Sequence, residues 1–261
     1  VINRGCLPLD WQVDLGHGGR WTSWRAGDRE WLWQNPLVPA AERHRARPGA
    51  AFIDAGGAEE CFPTIRGLPD HGDAWSRPWS GTNRSAAVDI PGNGTLRRTI
   101  ADGPAPEITY RIDGRPGTSF LHALHALLAV SSRAVLDIPD AKRMTVLDDL
   151  DPERWWPSGL DRLSAADGTA VCAIVPDVRR AVIIDGDDRL ELEWDCAESP
   201  ELCSLMVWRN LGGWPPQSPY RSIGIEPMVG RAADLASARE GSCPVVGPSG
   251  TFRWSVRLSA R

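Results

Sequence analysis

The sequence predicts an all-β chain, and three observations carry that expectation. Short runs alternate apolar and polar residues, clusters of Gly, Pro and Asp separate the runs, and helical periodicity is scarce. "TFRWSVRLS" is the clearest run: Phe252, Trp254, Val256 and Leu258 alternate with Arg253, Ser255, Arg257 and Ser259. A period of two places these sets on opposite faces of a strand with one side buried. "AVIIDGDDRLELEW" holds a second run, Leu190, Leu192 and Trp194 against Arg189, Glu191 and Glu193, and reads as a hairpin turning at Gly186. "WTSWRAGDREWLW" reads the same way around Ala26 to Asp28, and "AVDIPGNGTLRRTI" around Pro91 to Gly94. Two helical pieces are expected, one over residues 232–240 ("AADLASARE") and a single turn near "DDLDPERWW". With no internal repeat or low-complexity linker, residues 1–261 read as one continuous β-sandwich or barrel domain.

Composition narrows the function classes. The net charge is −5 with both signs interspersed, so no basic stripe exists for nucleic acid. The basic cluster "ERHRAR", residues 42–47, is expected to be a solvated loop. No apolar run reaches membrane-spanning length, and the start "VINRGCLPLDW" lacks a secretory-signal pattern. Cys6, Cys61, Cys172, Cys196, Cys203 and Cys243 are scattered without a CxxC, which reads as free thiols in a reducing compartment. A cytoplasmic location is the expectation. Thirteen Trp against four Phe and two Tyr is the unusual feature, because indoles left over from the core suit a carbohydrate cleft.

Two segments hold candidate chemistry. "LPDHGDAWSRPW", residues 68–79, sets Asp70, His71, Asp73 and Arg77 among Trp75 and Trp79. Polar groups beside flat rings suit a sugar, whose hydroxyls need hydrogen bonds and whose C–H faces stack on aromatics. They equally suit a loop pinned to a core by two tryptophans. In "FLHALHALLAV", His122 and His125 are three apart, so on a strand they point to opposite faces and only one enters a cleft. Zinc binding by "HALH" requires a helix and a third ligand, and no metal or cofactor is expected.

In chain order, "GGRWTSWRAGDREWLWQNP", "GGAEECFPTI", "LPDHGDAWSRPW", "FLHALHALLAV", "LMVWRNLGGWPP", "IGIEPMVGRAADL" and "GPSGTFRWSVRL" resemble the galactose mutarotase-like superfamily, the aldose 1-epimerases and their relatives. The likeness spans nearly the whole chain. It implies a β-supersandwich of large antiparallel sheets with a sugar cleft on one concave face. It also implies an isomerase that exchanges sugar anomers by opening the ring. One group takes the proton from the C1 hydroxyl while another protonates the ring oxygen, on opposite sides of the sugar and without a cofactor.

Residue by residue, the resemblance makes Glu226 of "GIEP" the general base and His125 the acid. His71 becomes the ligand that orients a sugar hydroxyl, with Asp70 holding its ring. Arg77, Trp75, Trp208 and His122 are further substrate-binding candidates, at most one of Glu59 and Glu60 binds hydroxyls, and Asp234 caps a loop. The substrate implied is a monosaccharide or sugar derivative, handled by a monomer or homodimer with no nucleic acid or membrane involved. Departures leave the sugar open: "DAGG" lacks the Arg of the hexose-6-phosphate branch, and the diagnostic blocks of the galactose branch are absent. The alternatives are another sugar-active enzyme on this fold (a sugar-phosphate epimerase, isomerase, lyase or hydrolase) or a non-catalytic carbohydrate-binding protein.

Overall fold

The computed structural model describes residues 7–261, so Cys6 and the start of the opening segment lie outside the described residues. The alternating runs form two antiparallel sheets that face each other. One has ten strands, in the order Leu9–Asp14, Arg20–Ala26, Ala58–Cys61, His122–Ala126, Tyr220–Val229, Cys203–Trp214, Thr169–Pro176, Arg143–Val146 and Glu153–Trp155, with Arg29–Glu30 pairing beside the second. The other has eight, in the order Val135–Asp137, Arg180–Asp185, Asp188–Asp195, Thr251–Ala260, Glu107–Asp113, Gly94–Ala101, Ser85–Ile90 and Ser80–Thr82. All three sequence-predicted hairpins form, turning between Ala26 and Arg29, between Ile90 and Gly94, and between Asp185 and Asp188.

Alternation explains which face is buried. Phe252, Trp254, Val256 and Leu258 lie in the core between the sheets, each at 2% exposure or less. Burying a large apolar side chain contributes about 1.5–3 kcal/mol, so this strand alone fixes its own register. The helical expectations fail. Residues 232–240 are turns and bends, and Glu153–Trp155 is an edge strand paired with Arg143–Val146. Edge pairing gives these three residues hydrogen-bond partners that a single helical turn does not. The one α-helix among the described residues, Ala40–Arg43, overlaps the start of the cluster expected to be a solvated loop. Arg43 in it is buried.

Sheet parity separates the two histidines. On the strand His122–Ala126, His122 shares the inner face with Leu124 and Ala126, whereas His125 points out of the sandwich with Ala123. The His122 Nδ1 accepts from Trp254 Nε1 at 2.8 Å, and its Nε2 lies 3.3 Å from Glu60 Oε2. Glu60 also takes Arg98 Nη1 at 2.8 Å and the Tyr110 hydroxyl at 3.1 Å. Burial raises a carboxyl's pKa, yet these partners bring Glu60 below its ordinary value. His122 therefore belongs to a core network on the inner face, and the expectation that it lines the cleft is corrected.

The tryptophans of "LPDHGDAWSRPW" are also anchors. Trp79 packs with Arg98 4.9 Å over its ring, and Trp75 is 1% exposed with Arg43 5.1 Å over its ring. "GHGG" supplies the room they need. A Cβ on Gly18 would stand 1.9 Å from the Trp75 carbonyl oxygen, and one on Gly19 would stand 2.7 Å from the Trp79 ring. Neither indole offers an open stacking face, so the expectation of Trp75 as a sugar platform is corrected.

Candidate active site

The outward face of the ten-stranded sheet carries a single row of side chains across neighbouring strands. Glu59 is the direct cross-strand partner of His125. The pairs Met228–Ala123 and Leu127–Gly224 bracket His125 and put it opposite Glu226, which in turn faces Met206. Directly opposed residues in antiparallel pairs hold their Cβ atoms about 4.5–5.5 Å apart. Glu59, His125 and Glu226 are thus neighbours by register, although they are far apart in the chain.

The contact in this row is close. His125 Nε2 lies 3.5 Å from Glu226 Oε1, and the two residues are 7% and 1% exposed. Gly224 makes space for the carboxylate, because a Cβ there would stand 2.5 Å from Glu226 Oε1. The other oxygen, Oε2, is buried without a hydrogen-bond partner. Burial first, and then the nearby Asp54 charge, push the Glu226 carboxyl well above its ordinary value. Burial, then the neighbouring His71, push the His125 imidazole well below its own. Both groups are driven toward their uncharged forms, the carboxylic acid for Glu226 and the neutral imidazole for His125. They stand side by side, so the expectation that they occupy opposite sides of a sugar is corrected.

Other groups converge on the row. Glu59 accepts from Arg43 Nε at 3.1 Å and lies 3.6 Å from Arg20 Nε, yet burial outweighs both cations and raises its pKa. His71 sits edge-on to His125 with ring centroids 4.9 Å apart. Its backbone is left-handed at φ 62°, an uncommon conformation for a non-glycine residue, and its N–H donates to the Ile65 carbonyl at 2.9 Å. Asp70 Oδ1 lies 3.2 Å from the His71 Nδ1. Burial opposes ionisation of Asp70, but His71 and Arg66 bring its pKa below the ordinary value. On the other side, Trp208 is half-buried across from Gly224 and donates through Nε1 to Ser222 Oγ at 3.0 Å.

Sequence reading missed Asp54, Tyr220 and Phe52. Tyr220 donates to Asp54 Oδ2 at 2.5 Å; burial raises the Asp54 pKa despite that bond. Phe52 stacks face-on to His71 at 3.6 Å and edge-on to His125 at 5.8 Å, so it covers the row. Alternation flags none of these, since Asp54 and Phe52 lie in a loop. Arg77 is not brought to the site: it pairs with Asp73 at 3.4 Å and lines a separate groove of about 410 Å³ with Ser80, Thr95 and Arg97. Asp234 caps its loop by accepting the Ala236 N–H at 3.0 Å.

Comparison with known proteins places the fold. No family model matches the sequence, and no curated protein matches it either. Solved structures do match. Slr1438 from Synechocystis sp. PCC 6803 superposes with a TM-score of 0.73 at 17% identity, covering 98% of this chain and 95% of that one. An Escherichia coli K12 protein provisionally named an aldose 1-epimerase gives 0.72 at 13% identity, over 98% of both chains. A galactose mutarotase-like protein from Lactobacillus casei ATCC 334 gives 0.64 at 13% identity, over 97% of both.

The Glu226 environment has a measurable consequence for stability. A carboxyl whose folded pKa is raised binds its proton more tightly folded than unfolded, so it costs stability increasingly as pH rises above its unfolded value. Glu226→Gln removes that cost. The expected result is a melting temperature above wild type, with the gap widening from pH 5 to pH 8 (about 2–4 °C per kcal/mol for a chain of this size). Thermal unfolding followed across that range checks it, and a gap that shrinks with pH contradicts the assignment. The chain has the fold of the galactose mutarotase-like proteins, at identities that establish the fold alone.

Proposed function

We propose that this chain is an aldose 1-epimerase-like isomerase that interconverts sugar anomers at Glu226 and His125 without a cofactor. The single observation that carries the reading is the 3.5 Å contact between Glu226 Oε1 and His125 Nε2, two groups that burial pushes toward their uncharged forms. The hydroxyl oxygen and the ring oxygen of an aldose are both bonded to C1, so adjacent groups reach both. The roles are the reverse of those the resemblance implies: the Glu226 carboxyl gives its proton to the ring oxygen as the bond from C1 to that oxygen breaks. His125 takes the proton from the C1 hydroxyl, leaving an open-chain aldehyde. After rotation about the C1–C2 bond, the imidazolium returns its proton to the carbonyl oxygen. The carboxylate then recovers a proton from the ring hydroxyl as the ring closes on the other face. Every proton is accounted for, and the pair ends as it began.

His71, oriented by Asp70, binds a sugar hydroxyl in this scheme, and Trp208 borders the ring. The substrate is a monosaccharide or sugar derivative. Glycoside hydrolysis is less well supported, since it needs a second free carboxyl beside the first. Glu59, the nearest candidate by register, is held by Arg43 and Arg20, and Asp54 is held by the Tyr220 hydroxyl and the Gly56 N–H. Phe52 is a gate. Groups as little exposed as Glu226 and His125 receive a hexose only after the ring stacked on His71 swings away. The neighbouring Gly49, at φ 79° with open space around its Cβ position, leaves that loop free to bend.

Saturation-exchange NMR on a panel of aldoses tests the activity. Wild type is expected to accelerate anomer exchange for at least one sugar, and Glu226→Gln and His125→Asn each to lower kcat/KM by about 10²-fold or more. No sugar exchanging faster than in buffer, or variants as active as wild type, overturns the proposal. For the gate, Phe52→Ala is expected to lower KM severalfold with kcat retained, because a closed state reduces apparent affinity by the fraction that is open. A raised KM shows instead that Phe52 is a binding surface.

A further inference from the structure

A second cluster lies apart from the Glu226 row, where the first strand ends. Asp14 closes the strand Leu9–Asp14, His17 follows in the next turn, and His44 comes just after the helix Ala40–Arg43. One ligand atom from each of these side chains lies within 4.8 Å of the others, and this is the only group of three such residues among the described residues. His17 Nδ1 is 2.9 Å from Asp14 Oδ2, and His44 Nε2 is 3.7 Å from the same oxygen. All three side chains reach solvent, at 35%, 32% and 46% exposure for His17, Asp14 and His44.

We propose that Asp14, His17 and His44 bind a late first-row divalent cation, of which Zn²⁺ is the representative. Two imidazoles and one carboxylate make a donor set that favours such ions over Ca²⁺ or Mg²⁺, which prefer all-oxygen ligands. Three protein ligands leave a fourth position for water, and the cluster's exposure gives both ion and water a way in. The neighbouring cations are otherwise engaged. Arg43 and Arg20 are paired with Glu59, and Arg43 also donates to the His17 carbonyl at 3.2 Å.

The rings set a condition on binding. His17 and His44 now stack at 3.7 Å with 13° between their planes. An ion held in both ring planes at about 2.0–2.1 Å needs the centroids roughly 5 Å apart. Metal entry must therefore part the stack, and His44, the most exposed of the three, is the side chain free to swing. Entry also breaks the contact between His17 Nδ1 and Asp14 Oδ2, since Nδ1 ligates only in the tautomer that carries its proton on Nε2. The ion would tie the end of the first strand to the start of the segment that carries Phe52.

The test uses the full chain, stripped with a chelator and titrated with Zn²⁺ against a chromophoric competitor, then with Co²⁺. One ion per chain is expected, with Co²⁺ absorption lacking an intense thiolate band and NMR shifts at the ring resonances of His17 and His44. His17→Asn and His44→Gln are each expected to weaken binding at least about tenfold. His44, exposed beside a short helix, is the variant least disturbing to folding, and circular dichroism checks both. Absence of saturable binding overturns the proposal. So does binding that survives both variants but is lost on alkylating the cysteines, which assigns the ion to thiols.

Discussion

The desolvated contact between Glu226 and His125 is the interaction on which the site depends. Taking a carboxylate and an imidazolium out of water together costs several kcal/mol per ion unless further partners hold the charges. Here Glu226 Oε2 has none. Removing charge from both groups avoids that cost, and the site thereby holds one proton poised between an acid and a base. Everything around the pair supports this condition: Gly224 gives the carboxyl room, Asp54 and His71 bias the two groups in opposite directions, and Phe52 keeps bulk water away.

The two faces of one sheet treat buried charge in opposite ways. On the inner face Glu60 is surrounded by Arg98, His122, Tyr110 and Trp21, and it is held ionised. On the outer face Glu226 has a single close partner and is pushed toward its neutral form. Glu59, one residue from Glu60 and on the opposite side, is intermediate: two guanidiniums approach it, but burial still raises its pKa. A buried ion with several partners fixes a core, whereas one with a single close partner is ready to exchange its proton. The first condition locks the strands in register, and the second places reactive groups upon them.

Much of the fold was legible because it is local. The alternation in "TFRWSVRLS" and "RLELEWD" and the Gly turns at three hairpins needed no long-range information. Parity alone separated His122 from His125. What the sequence hid was set by register between distant strands. Nothing near Glu59, His125 or Glu226 says that residues so far apart form one row, and the family resemblance named His125 and Glu226 but left Glu59 and Glu60 as alternatives. The tryptophans were ambiguous for the same reason. Trp75 and Trp79 are buried by contact with Gly18 and Gly19, some sixty residues earlier. Phe52 carries no pattern, because its importance comes from the ring of His71 beneath it. The strand Glu153–Trp155 was misread as a turn of helix since its pairing with Arg143–Val146 is tertiary.

The central claim concerns where one proton sits, and the ¹⁵N chemical shifts of the His125 ring across a pH titration report that directly. The account expects a neutral imidazole at pH 6, below the ordinary histidine midpoint of about 6.5, with the cationic form appearing only under more acidic conditions. A His125 ring already cationic at neutral pH would show a charge-separated pair with Glu226 ionised, and would contradict the account.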